Sequence, residues 1–117
     1  SPCPDRPNCV SSEAGDKEHR IAPLKLKGEP PSAWDDLKEV VGRLPRCSIV
    51  IATKDYLHAE CKSRLFRFVD DLELRMNPTT GVVAIRSAAR IGYWDLGANR
   101  RRVESLRGML KENEWID

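Results

Sequence analysis

The apolar positions of this chain follow two rhythms, one with a period near 3.6 and one with a period of two. Trp34, Leu37, Val40, Val41 and Leu44 fall on one side of a helical wheel. They predict an amphipathic helix that Pro45 ends, with Ser32 as N-cap and Asp35 three residues on, where a carboxylate suits the helix dipole. Val103, Leu106 and Leu110 form a second such stripe, with Asn99 on it one turn earlier and Asp95 placed to cap the start. Between the helices the period is two. RCSIVIATKDYLHAECKS (46–63) predicts a hairpin turning at Thr53, Lys54 and Asp55. Centred on Lys54, it sets Cys47 opposite Cys61, Ile49 opposite Ala59 and Ile51 opposite Leu57, all on one apolar face. Tyr56, His58 and Glu60 fall on the other. A second hairpin with NPTT (77–80) as its loop pairs Leu74 with Val83, Leu72 with Ile85, Phe68 with Ala89 and Phe66 with Ile91. HRIAPLKLKG (19–28) predicts one more strand, placed at a sheet edge because Pro23 interrupts it.

Strand, helix, four strands, helix is the resulting order. It predicts an α+β fold: a curved antiparallel five-stranded sheet with two helices packed on one face, over residues 21–117, behind an irregular disulfide-stapled segment 1–20. The topology resembles that of TATA-box-binding-like folds, a likeness that says nothing about function. The register of the second hairpin leaves one anomaly. Asp71 falls opposite Arg86 on the polar face, an ordinary cross-strand ion pair. Asp70 falls in the apolar row opposite Ser87, where a carboxylate must be paired or hydrogen-bonded.

At 117 residues the chain fits one domain. Its 40% hydrophobic and 32% charged residues suit a folded globular protein, and a net charge of +2 supplies no bulk field for nucleic acid. Apolar runs such as IVIA (49–52) are far shorter than a transmembrane segment. Ser1 opens a polar, proline-rich stretch in place of a signal peptide, as a processed chain would.

CPDRPNCVSS (3–12) carries two cysteines among prolines, with neither periodicity around them. A metal clamp lacks a second ligand pair, since His19 and His58 are the two histidines and neither is spaced to join. A redox pair is expected as C-x-x-C at a helix start. The remaining reading is a Cys3–Cys9 staple, contributing roughly 2 kcal/mol by chain-entropy reasoning. Cys47 and Cys61 are either a cross-strand disulfide or two buried thiols acting as small hydrophobes.

Three stretches in order, CPDRPNCVSS, DYLHAECKSRLFRFVDDLEL and IRSAARIGYWDLGANRRRVESLR, are similar to the family catalogued as domain of unknown function 1499. The resemblance covers nearly the whole chain. It implies a bacterial or plastid-related protein that works outside the cytoplasm, in the periplasm, the thylakoid lumen or after secretion, often membrane-tethered in the precursor. It implies no reaction. Its signature positions correspond to Cys3, Pro4, Pro7, Asn8 and Cys9, then Asp70, Asp71, Arg86, Ser87 and Arg90, then Gly92, Asp95, Gly97, Asn99, Arg102 and Glu104. Cys47 and Cys61 lie outside that pattern.

The expected function is a non-enzymatic extracytoplasmic binding or accessory domain attached to a membrane complex or partner protein. Asp70, Ser87, Arg90, Asn99 and Arg102, rimmed by Tyr93 and Trp94, are expected to converge where the second helix leaves the second hairpin, to hold a small anion or dock a partner. A competing reading is structural: Asp70 and an arginine lock helix to sheet. The enzymatic alternative is a hydrolase-like activity on a small molecule, with Asp70 or His58 as acid or base and Ser87 or Ser63 as nucleophile. No catalytic motif supports it. A thiol oxidoreductase using Cys3 and Cys9 is the weakest reading. No cofactor, metal or nucleic-acid partner is expected.

Overall fold

The computed structural model describes residues 1–62, 68–92 and 95–116. Six strands and two helices follow in the order β1 (Cys9–Ser11), β2 (Leu24–Lys25), α1 (Pro30–Gly42), β3 (Cys47–Ala52), β4 (Tyr56–Lys62), β5 (Val69–Met76), β6 (Val82–Ala89) and α2 (Ala98–Glu112). Every strand pair is antiparallel, in the spatial order β1-β6-β5-β4-β3, with β2 also on β6. The α+β class and the antiparallel sheet agree with the sequence pattern. The strand count does not, because the leader contributes β1, pairing Cys9 with Ala88 and Ser11 with Arg86. Three residues among prolines are too few to show a period of two. β2 lies at the sheet edge, as Pro23 required, further along β6 at Val82 and Val83.

Both helical stripes are buried. Trp34, Leu37, Val41 and Leu44 of the first, with Val103, Leu106 and Leu110 of the second, join Leu57, Ala59, Leu72, Leu74, Val83 and Ile85 of the sheet in one core. Each fully buried leucine contributes about 1.5–3 kcal/mol relative to exposure. Trp34 Nε1 donates to Thr53 O at 3.0 Å, tying α1 to the first hairpin turn. The first helix starts at Pro30, not after Ser32: its N-cap is Glu29 and prolines hold the first turn.

Both hairpins depart from their expected registers. In the first, Cys47 faces Cys61 and Ile49 faces Ala59, but Ile51 faces His58. The loop is the two residues Lys54 and Asp55, with Thr53 N donating to Tyr56 O. A bulge at Val50 absorbs the resulting one-residue mismatch. The second hairpin is shifted by two: Leu74 faces Ile85, Leu72 faces Ser87 and Asp70 faces Ala89. Its loop runs through Gly81, whose φ of +74° and amide bond to Asn77 O close the turn. A shift of two preserves the faces, so the buried set survives. The expected Phe68–Ala89 pair is not formed, and Phe66 lies outside the described residues.

Candidate functional site

Asp70 points from β5 into the helix-covered side of the sheet, where its residue is 7% exposed. Arg102, on the second turn of α2, pairs with its Oδ2 at 2.9 Å. The same guanidinium Nη1 donates to Asn99 Oδ1 at 2.9 Å and to Ser87 Oγ at 3.2 Å. Ser87 donates its own proton to Asn99 Oδ1 at 2.7 Å. The Asn99 amide nitrogen donates to Asn8 O at 3.0 Å and Asp95 Oδ2 at 2.9 Å, and Asn8 Nδ2 donates to Gly92 O at 2.8 Å. One hydrogen-bonded network therefore joins the leader, β5, β6 and the start of α2. Asp95 caps that start by accepting from the amides of Gly97 and Asn99. Burial pushes the Asp70 carboxyl above its ordinary range, with the Arg102 guanidinium pulling against it.

Four of the expected site residues, Asp70, Ser87, Asn99 and Arg102, thus converge. Arg90 does not. It projects from the opposite face, where it holds Asp71 through Nε at 2.9 Å and Nη2 at 2.8 Å and also pairs with Glu60. His58 ring nitrogen lies 2.7 Å from Asp71 Oδ1, and the arginine bonds hold Asp71 below the usual carboxylate range. The expected Asp71–Arg86 pair is replaced by Arg86–Glu73 at 3.3 Å, a consequence of the two-residue shift. Tyr93, Trp94 and Ser63 lie outside the described residues.

Beside the network opens a cleft of about 410 Å³, lined by Arg46 and Cys47 at the start of β3, Lys62 at the end of β4, Asp70, and Arg101, Arg102 and Ser105 of α2. Four cations thus meet one carboxylate, and that carboxylate is engaged by Arg102. Among the described residues no carboxylate pairs with Arg46, Lys62 or Arg101. The sequence reading missed these three. Arg46 and Lys62 directly flank the facing cysteines, and that register placed them together.

Both pairs of cysteines are bridged, Cys3 to Cys9 and Cys47 to Cys61. Among the described residues no group of His, Cys, Asp and Glu side chains could hold a metal ion. No described helix is long and apolar enough to cross a membrane. The cleft can offer charge-assisted hydrogen bonds to an anion.

Comparison with the curated proteins and with the solved structures finds no match. One family does match, over residues 1–110 of the 117, so the three sequence stretches and the network they build carry one identity. The chain belongs to the family described as Protein of unknown function (DUF1499).

Proposed function

We propose that this protein is a binding module whose cleft between β3, β4 and α2 takes an anionic group, a carboxylate or a phosphate, presented by a partner molecule. The observation that carries the reading is the local charge balance: Arg46, Lys62 and Arg101 surround the opening with no described acidic partner, beside the already neutralised Asp70–Arg102 pair. The binding reading gains over hydrolysis because Ser87 is fully buried and its proton is committed to Asn99. A nucleophile needs a base and an open approach. The two disulfides are compatible with an oxidising, extracytoplasmic setting, and we place the module there, as an accessory to a membrane complex or partner protein.

The test is a heteronuclear NMR titration of the oxidised protein with inorganic phosphate and with succinate. Saturable amide shifts confined to Arg46, Lys62 and the first turns of α2, lost in Lys62→Glu with Arg101→Glu, are the expected result. Shifts that do not saturate, or that survive the charge reversal, overturn the reading.

A further inference from the structure

Among the described residues, β3 is the one strand of more than three residues with an open side, since it ends the row β1-β6-β5-β4-β3. It is also unusually greasy for that position. Ile49, Val50 and Ile51 are 37%, 52% and 47% exposed and consecutive. Natural edges are blunted by charge, proline, shortness or a bulge; β3 carries the Val50 bulge, but its run of three exposed β-branched residues holds no charge and no proline.

The ladder fixes which backbone groups are on offer. Lys62 N donates to Arg46 O at one end of the β3–β4 pair and Thr53 N to Tyr56 O at the other. Antiparallel pairs alternate between bonded and non-bonded residues. Counting inward from the two ends, Ser48 and Ile51 bond to β4. Ile49 and Ala52 therefore turn their amides and carbonyls away from the sheet, on either side of the Val50 bulge.

Charge decides the occupant. Arg43 and Arg46 stand exposed before β3 and Lys54 stands exposed after it. A second copy pairing through these outward groups, Ile49 against Ala52, would bring a single carboxylate of its strand end, Asp55, opposite Arg46. A segment ending in several carboxylates answers the whole cluster of Arg46, Lys62 and Arg101, which one carboxylate does not. The beginning of β3 runs directly into the cationic cleft, because Arg46 and Cys47 line both. Every pair in this sheet is antiparallel, and a strand added antiparallel to β3 runs out, carboxyl end last, over that cleft.

We propose that β3 accepts an extended segment of a partner protein as a further antiparallel strand, with the segment's acidic carboxyl end seated among Arg46, Lys62 and Arg101. The acidic end rests on the anion-binding reading above, whereas the strand pairing stands on the exposed edge alone. Main-chain bonds to Ile49 and Ala52 give affinity and alternate apolar side chains lie along Val50 and Ile51, the general logic of strand addition.

A fluorescein-labelled peptide of alternating threonine and valine ending in aspartate and glutamate tests this by fluorescence anisotropy. Saturable binding is expected, weakened at least tenfold by Ala52→Pro, which deletes an outward donor and leaves the β3–β4 ladder intact. Methylating alternate amides of the peptide should abolish binding with the protein untouched, so the result does not depend on how the proline variant folds. Lys62→Glu with Arg101→Glu should weaken binding at least tenfold. A peptide with an amidated end separates a terminal carboxylate, which amidation removes, from acidic side chains, which it leaves; either outcome supports a carboxylate in the cleft. Binding that is absent, or indifferent to both amide methylation and Ala52→Pro, overturns strand addition, even where phosphate still shifts the cleft amides. Binding that responds to Ala52→Pro but ignores the charge reversal overturns the acidic end. Self-association that Ala52→Pro abolishes identifies a second copy as the occupant and overturns the proposed partner.

Discussion

Replacing Asn99 by alanine removes four hydrogen bonds at once: those from Ser87 and Arg102 to its oxygen, and those from its nitrogen to Asn8 O and Asp95. Three of the partners have somewhere else to turn. Arg102 keeps Asp70, the Asn8 carbonyl keeps the amide of Ala89, and the Asp95 oxygen keeps the Asn99 amide. Ser87 does not, because it is fully buried and its proton has no second acceptor. The orphaned hydroxyl costs about 1–3 kcal/mol and the three other lost bonds about 0.5–1.5 kcal/mol each. The sum, about 2.5–7.5 kcal/mol, corresponds to a melting temperature lower by roughly 10–30 °C for a domain of this size. Differential scanning calorimetry of the oxidised protein at neutral pH measures it. The double variant Asn99→Ala with Ser87→Ala adds a sharper check. Removing the stranded hydroxyl should return about 1–2 kcal/mol relative to the sum of the single effects, as expected for residues in contact. A loss below about 1 kcal/mol for Asn99→Ala, or strict additivity in the pair, would refute the view that this network holds α2 to the sheet.

Two further outcomes can be checked directly. His19 is 7% exposed and both its ring nitrogens face oxygens, Arg6 O at 2.6 Å and Asp16 Oδ2 at 2.5 Å, so only the doubly protonated ring satisfies both. The bond to the Arg6 carbonyl, then that to Asp16, raises its pKa above 6.5, with Glu18 adding to the field. The folded state thus binds this proton more tightly than the unfolded chain. The stabilisation is complete below pH 6.5 and is lost as pH climbs through the raised folded value. Chemical denaturation between pH 6 and 9 should show this fall, and His19→Gln should flatten it; an unchanged slope in the variant would assign the effect elsewhere. The second outcome concerns the bridges. Iodoacetamide should label no cysteine in the native protein before reductant, and immediate labelling of Cys3 and Cys9 would reject the staple. Replacing Cys3 and Cys9 by serine should cost about 2 kcal/mol and replacing Cys47 and Cys61 about 3 kcal/mol, the longer loop costing more.

The buried half of this molecule is legible in the sequence because burial imposes a period. Both helical stripes and the inward rows Leu57–Ala59–Cys61 and Leu72–Leu74 come from alternation alone, and Asp70 stands out because it breaks such a row. Asn99 likewise betrays itself by sitting on an apolar stripe. What failed was set by local loop chemistry. The five-residue turn through Gly81 moved one hairpin by two, and the Val50 bulge reset the end of the other. Arg90 was drawn to the wrong face although alternation argued otherwise, since it lies three residues beyond inward-facing Ser87. The β1 strand and the Asn8 contacts had no signal, because they depend on a leader meeting β6 almost eighty residues away in sequence. The open greasy edge was invisible for the opposite reason: three apolar residues in a strand look the same whether covered or bare.

The two margins of the sheet are unlike. On one side β6 is met by fragments, three residues of β1 and two of β2, with single bridges from Ser11 to Arg20 and from Leu26, just past β2, to Ile116. No run there is long enough to template another chain. On the other side β3 offers six residues. A sheet that can grow in a single direction cannot polymerise head to tail, because whatever joins at β3 finds no docking margin on the far side of the next molecule. The leader thereby confines growth of this sheet to its β3 side.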